Sequence, residues 1–505
     1  MPARPLLTAL FSAAGLAVAG PAPHACAGTW PGADAGQLPA AVSAALQQAQ
    51  VPPEALAAVV QAVDDGPVRL AWNGSAAMNP ASVFKLFTTY AALDLLGPAW
   101  TWQTPVWVDG PVRQGVLDGS VTVQGSGDPS LVEERVWLLL QRLQQAGVRD
   151  IRGDIVLDNS AFAPSPTAPG DFDGDAMQPY NVQPDALLLN FKSQTFQFRP
   201  DPANGVAWVA ADPSLSGVQV DASVALASGP CTDWRGALKA QTDDPSRVHF
   251  DGRYPAACGE QAWPMASADP AHYNARLIEA LWRQMGGQLA GRVRAGRAPV
   301  GLPPSFTWTS PPLADVVRDI NKYSNNVMAE QVFLSLARTT SAAEGDEIDA
   351  PAAPPAQLPV SQQDARRRLM RWIAGRWGEA DASRTVIDNG AGLSRQTRVS
   401  AQLLDRLLQS AWRSNVMPEL VSSLPVSAVD GTLRRAKLPP GVAHLKTGSL
   451  RDVAALAGYV LGDSGRRYVL VALINHPRAA AARPALDALV RWTRDDADPA
   501  LRQNR

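Results

Sequence analysis

Three strand-like segments close together near the end of the chain constrain the fold most. Residues 454–461 and 467–474 are dominated by Val, Leu, Ala and Ile, residues 444–450 precede them as a more polar third segment, and Gly462-Asp463-Ser464-Gly465 sits between the last two. That is the pattern of neighbouring strands joined by tight turns. Their apolar faces need a partner, and the stripe-patterned helix expected at 479–493 can supply one. The same stripe could lie on a membrane, but the bare strand faces just before it are the better partner. Near the other end, the apolar run 55–63, the turn Asp64-Asp65-Gly66 and the run 68–72 read as a hairpin belonging to the same central sheet.

Between these ends the texture changes. Short alternating runs at 104–108, 115–123, 151–158, 191–200, 206–209 and 218–224 are separated by Gly, Pro and Asp turns and interrupted by one helix at 132–146. This is a mostly β insertion. Gly125-Ser126-Gly127-Asp128-Pro129-Ser130-Leu131 lacks the Gly-Lys-Ser/Thr ending of a phosphate loop, so it is read as turn chemistry. Helical periodicity marks 38–50, 271–285 (Leu277, Ala280, Leu281 and Met285), 313–335, 363–376 and 401–414, while the Ala, Pro and acid-rich stretch 341–359 reads as a solvated loop.

A length of 505 residues suggests two to four domains, with ample apolar content for a core. The net charge of -2 leaves no basic footprint, so nucleic acid is not an expected partner. The chain starts Met-Pro-Ala-Arg, continues through an apolar run at 6–18 and reaches Ala25-Cys26-Ala27, the layout of a cleaved export leader ending at Ala27 or Ala19. The run is too short to span a bilayer, and no other stretch is expected to do so. Cleavage after Ala27 leaves Cys231 and Cys258, expected to form a disulfide in an oxidising compartment, with two free buried thiols as the alternative. The loop closed would contribute on the order of 3 kcal/mol. The five histidines are scattered without zinc spacing, so neither metal nor cofactor is expected.

The chemistry begins at Asn79-Pro80-Ala81-Ser82-Val83-Phe84-Lys85-Leu86-Phe87. Asn79 suits an N-cap and Pro80 a first helical position, with Leu86, Tyr90 and Leu93 as one apolar face until Gly97-Pro98. Ser82 and Lys85 then share a face. A serine hydroxyl needs a base within hydrogen-bond reach, and a desolvated lysine can lose its proton to serve. By itself the pair is more often a capped helix carrying a solvated lysine. Two later segments change that: Ser324-Asn325-Asn326, with a hydroxyl and an amide, and Lys446-Thr447-Gly448-Ser449 at the head of a strand, with groups suited to a carboxylate and a glycine permitting close approach.

Ser-x-x-Lys, Ser-x-Asn and Lys-Thr-Gly in that order form the motif set of penicillin-binding proteins and serine β-lactamases. The mature chain resembles, over nearly its whole length, the class C low-molecular-mass penicillin-binding proteins, a family of D-alanyl-D-alanine carboxypeptidases/endopeptidases. Asn79-Pro80-Ala81-Ser82, Gly127-Asp128-Pro129-Ser130-Leu131, Asn389-Gly390-Ala391-Gly392-Leu393-Ser394, Asp430-Gly431-Thr432-Leu433 and Ile474-Asn475-His476-Pro477 also look familial, although Ala391 stands where serine is usual. The 242 positions between Ser82 and Ser324 match the family's large insertion and exceed a β-lactamase spacing.

The resemblance implies an α/β (α+β) penicillin-binding/serine β-lactamase-like transpeptidase fold, an antiparallel sheet flanked by helices. Its expected divisions are a leader at 1–27, a catalytic first part at 28–102, a β-rich insertion at 103–268 and a catalytic second part at 269–505. It implies a periplasmic serine peptidase acting on peptidoglycan stem peptides and acylated by β-lactams. Ser82 would be the nucleophile, Lys85 its base and Ser324 a proton relay. Asn326, Lys446, Thr447, Gly448 and Ser449 would bind substrate, with backbone N–H groups of Ser82 and Ser449 facing the oxyanion. The alternatives are a β-lactamase of the same fold and a non-catalytic peptidoglycan-binding module.

Overall fold

A five-stranded antiparallel sheet joins the two ends of the chain in the computed structural model, which describes residues 36–63, 66–338 and 359–496. The expected leader and nearly all of the loop at 341–359 lie outside the described residues. Strands β1 (Leu56–Ala62) and β2 (Val68–Trp72) come from the N-terminal part, and β3 (Ala443–Leu450), β4 (Val453–Leu461) and β5 (Arg467–Asn475) from the C-terminal part. The order is β2-β1-β5-β4-β3, with Leu56 opposite Ile474 and Val59 opposite Val471. β4 and β5 are buried along almost their entire length, which is why they read as continuous apolar runs.

Helices cover both faces: α1 (Ala40–Ala49), α2 (Lys85–Leu96), α3 (Leu313–Tyr323), α4 (Asn326–Arg338), α5 (Gln362–Trp377), α6 (Ala401–Trp412) and α7 (Arg483–Arg494). On one face Val60, Leu470 and Ala472 pack with Val42 and Leu46 of α1 and Leu486 and Leu489 of α7. The closing helix therefore spends its apolar stripe on the sheet. On the other face Val59, Val471 and Leu473 pack with residues of α2 to α6.

The helix carrying Lys85 departs from the expected single apolar face. Every residue of α2 from Lys85 to Leu93 is buried, because neighbouring helices and the sheet surround it. Its polar groups are satisfied locally: Thr88 donates to the Gly390 carbonyl and Thr89 to the Lys85 carbonyl. α5 starts on a capping box between Ser361 and Asp364, and α6 on Ser400, whose hydroxyl accepts from the Leu403 N–H.

The β-rich region extends past the expected end at 268. Phe306–Thr309 pairs antiparallel with Gln103–Asp109, and Val293–Ala295 pairs parallel with Ile155–Asp158. The helix Tyr273–Gln284, expected in the catalytic second part, buries Tyr273, Leu277, Ile278, Leu281 and Trp282 in a core shared with the helix Glu133–Gln145 and that sheet. We therefore propose that the inserted unit runs from 103 to 309. Its second sheet is built on Ser193–Asp201 and Val206–Asp212, around an aromatic cluster that includes Phe198, Phe250 and Tyr254. Cys231 and Cys258 are disulfide-bonded beside it, 27 positions apart.

Candidate active site

The segment carrying Ser82 is held at Asn79 before any helix begins. The Asn79 N–H donates to Oδ1 of Asn475, at the end of β5, and Nδ2 of Asn475 returns a bond to the Asn79 carbonyl, at 2.7 and 2.9 Å. The Asn79 side chain donates to the Ser394 carbonyl and accepts from the Ala81 N–H. Asn79 is thus a latch to the sheet and not the expected N-cap. The first turn, Ala81–Phe84, is a 3-10 turn, and Ala81 before the nucleophile adopts a φ of 47°. Such a conformation persists only where surrounding contacts impose it.

Lys85, fully buried, lies at the centre of the site. Its Nζ is 3.0 Å from Ser82 Oγ, 2.6 Å from Asn326 Oδ1 and 2.7 Å from the Ala391 carbonyl oxygen. Burial, reinforced by the nearby charge of Lys446, holds its pKa well below the ordinary lysine range, with Glu330 acting in the opposite sense. The departure at Ala391 leaves this contact intact, since Lys85 uses only the backbone there.

Ser324 ends α3 in a left-handed conformation, φ 57°, and Asn325 accepts the Met328 N–H as α4 begins. The expected continuous helix at 313–335 is therefore two helices with the Ser-x-Asn motif at their junction. Asn326 uses both ends of its amide: Oδ1 accepts from Lys85, and Nδ2 donates to the Tyr180 carbonyl at 3.2 Å. Lys446, fully buried on β3, donates to Ser324 Oγ at 2.9 Å and to the Thr447 carbonyl at 2.8 Å, and burial lowers its pKa to about 7. Thr447 and Ser449 face outward, bonded to the Thr432 hydroxyl at 2.8 Å and to Arg483 at 2.7 Å.

Gly448 is required by a close approach, made here by the protein itself. A Cβ at this position would lie 2.5 Å from the Pro80 carbonyl oxygen and 3.2 Å from the Ala81 Cβ. The absent side chain lets β3 lie directly against the segment that presents Ser82.

Ser82, Lys85, Ser324, Asn326 and Lys446 are thus gathered into one connected group, with Thr447, Gly448 and Ser449 along its edge. The sequence pattern of the D-Ala-D-Ala carboxypeptidase 3 (S13) family matches residues 38–496. The chain belongs to that family. This S13 protein is 27% identical over 415 residues to the D-alanyl-D-alanine carboxypeptidase DacB of Haemophilus influenzae, covering 80% of this chain and 82% of that one. It is 26% identical over 433 residues to a D-alanyl-D-alanine carboxypeptidase of Actinomadura sp. strain R39, covering 81% and 75%. Its fold is similar to the crystal structure of penicillin binding protein 4 from H. influenzae, with a TM-score of 0.69, 23% identity, and 89% and 99% of the two chains covered. The S13 protein is a serine D-Ala-D-Ala carboxypeptidase with a penicillin-binding-protein fold.

Several neighbours of the motifs were not singled out by sequence. Tyr180 comes from the inserted unit, in a stretch without a motif, yet touches Asn326. It also lines a cavity of about 260 Å³ with Gln183, Glu330, Asn389, Ser394 and Arg395. Glu330 lies one helical turn beyond Asn326, and burial raises its carboxyl pKa to about 7. Its spacing was the available signal, since i and i+4 share a helix face. Asn475 and Thr432 lie within the familial stretches at 474–477 and 430–433, where the sequence alone assigns them no role.

Proposed function

We propose that Ser82 forms an acyl-enzyme with the penultimate D-alanine of peptidoglycan stem peptides, with neutral Lys85 as its base. The single observation that carries this reading is how Lys85 is held. Two oxygen acceptors, Asn326 Oδ1 and the Ala391 carbonyl, fix two of its hydrogen-bonding positions, and Ser82 Oγ stands at a third. In the neutral amine the two N–H bonds point at those acceptors and the lone pair points at Ser82. The hydroxyl can then pass its proton to Nζ as it attacks. Burial lowers the pKa of Lys85 and so favours its neutral form.

Charge developing on the carbonyl oxygen would be met by the backbone N–H groups of Ser82 and Ser449, on segments that Gly448 allows to touch. Ser324 accepts from Lys446, which leaves its own O–H free to donate to the departing amine, and Lys446 can resupply that proton. Lys446, Thr447 and Ser449 would bind the terminal carboxylate, and Asn326 would turn its amide to the substrate once Lys85 is protonated. Water then releases the acyl group.

The same Ser82 would open the strained amide of β-lactams, consistent with the β-lactam complex of H. influenzae penicillin binding protein 4. Cleavage of peptide cross-links uses the same steps and belongs to this proposal, as does a periplasmic location after removal of residues 1–27. Among the described residues no helix is long and apolar enough to cross a membrane.

The test is intact-protein mass spectrometry with benzylpenicillin, run beside Ser82→Ala and followed over time. A lasting adduct on the wild type alone is the expected result. Fast turnover of the adduct would indicate a β-lactamase, and no adduct on either protein would overturn the serine mechanism.

A further inference from the structure

The stretch Asp430-Gly431-Thr432-Leu433 has no part in the acylation chemistry, yet it touches both segments that flank the leaving group. Asp430 pairs with Lys322 at 2.7 Å, two residues before Ser324, and its other oxygen accepts the Val426 N–H at 2.8 Å. Gly431, at φ 54°, lies so close to the Lys322 carbonyl that a Cβ would come within 2.5 Å of its oxygen. On this anchored turn the hydroxyl of the exposed Thr432 accepts from that of Thr447 at 2.8 Å, with no substrate bound. Lys446 bonds Ser324 and so completes a ring from Ser324 through Lys446, Thr447, Thr432 and Asp430 back to Lys322.

A carboxylate is acceptor-only, and a hydroxyl has one proton. If Thr447 is to bind the terminal carboxylate, its proton must point at that anion. Its lone pair then faces Thr432, whose own proton can turn to meet it. Two hydroxyls in series orient and polarise each other, and the anion gains a donor that is already aligned. We propose that Thr432 is a positioning residue for leaving-group recognition, holding the Thr447 hydroxyl as a donor toward substrates that end in a free carboxylate. This rests on the reading that Ser82 is the nucleophile and Thr447 faces the terminal carboxylate.

The experiment compares release of D-alanine from an N-acylated peptide ending in D-Ala-D-Ala with release of D-alaninamide from its C-terminal amide, as kcat/KM and as KM and kcat separately. Thr432→Val is expected to lower kcat/KM for the free acid five- to tenfold, mainly through KM, and to leave the amide within twofold. Thr432→Ser is expected to restore the wild-type ratio. In a Thr447→Val background, Thr432→Val should cost nothing further, because its effect passes through Thr447. Benzylpenicillin adduct stoichiometry and the unfolding temperature report whether each variant is folded.

Equal losses on acid and amide, an additive loss in the double variant, or no loss at all would each overturn the inference. Should Thr432→Val fail to fold, Thr432→Ala, which also lacks the hydroxyl, carries the same comparison. If wild-type protein neither forms an adduct nor releases D-alanine, the reading of Ser82 falls, and this inference with it. Active wild type with an unaffected Thr432→Val overturns this inference alone.

Discussion

A single methyl group at Gly448 tests how tightly the two halves of the site are pressed together. In Gly448→Ala the new Cβ would sit 2.5 Å from the Pro80 carbonyl oxygen, where ordinary contact begins at 3.4 Å, so the strand or the Ser82 segment must yield by about 0.9 Å. Neither has an easy retreat. The Ser82 segment is tied to Asn475 by two bonds and to Ser394 by a third, and the Ala455 and Ala81 Cβ atoms already stand 3.2 Å from the new methyl. Overpacking of this kind costs about 1–3 kcal/mol. The larger effect is on chemistry, since a displacement near 1 Å in a reacting group can cost on the order of 100-fold in rate. The assay is the second-order rate of acylation by benzylpenicillin, followed by quenched intact-mass measurement, beside thermal unfolding of the same sample. A loss of about 100-fold with an unfolding temperature lowered by only a few degrees is expected. Wild-type acylation in a folded Gly448→Ala protein would refute the claim that the Pro80 contact sets the position of Ser82.

The charges around Lys85 make a two-sided prediction for pH. Lys446 lowers the pKa of Lys85, so Lys446→Met should move the acidic, rising limb of the acylation profile to higher pH; Glu330 raises it, so Glu330→Gln should move that limb to lower pH. Shifts in the same direction would refute this electrostatic account. For stability, Lys446 has a folded pKa near 7, below its unfolded value of 10.5, so between these values the unfolded chain binds the extra proton. Its contribution to stability should therefore rise with pH across that window, and denaturant titrations of wild type and Lys446→Met should diverge there. Replacing Cys231 and Cys258 with serine should destabilise the protein by about 3 kcal/mol in the loop-entropy account while leaving the acylation rate within twofold, because the disulfide joins an exposed Cys231 to Cys258 at the aromatic cluster and contacts none of the motif residues.

The central sheet was legible because β4 and β5 are buried on both faces and carry little besides apolar residues. The motif residues were legible because Ser82 and Lys85 are only three positions apart and local geometry already unites them. The end of the inserted unit was less readable. Phe306–Thr309 is four residues long, and only its partner more than 190 positions earlier identifies it as part of that sheet. Helix α2 misled for a related reason: periodicity reports how a helix faces solvent, and from Lys85 to Leu93 this one faces none. The same limit hid the contact between Asn326 and Tyr180, whose carbonyl bears no residue-type signature.

Pairing Leu56 with Ile474 also governs when this enzyme can exist during its own synthesis. β1 has no β5 to pair with until residue 475 has been made, more than 400 positions after β1 itself. The inserted unit, whose strands fall between 103 and 309, has all its sheet partners available much earlier. A growing or truncated chain would thus display its middle strands paired and an unassembled nucleophile, and catalytic competence would arrive only once Arg467–Asn475 has been made.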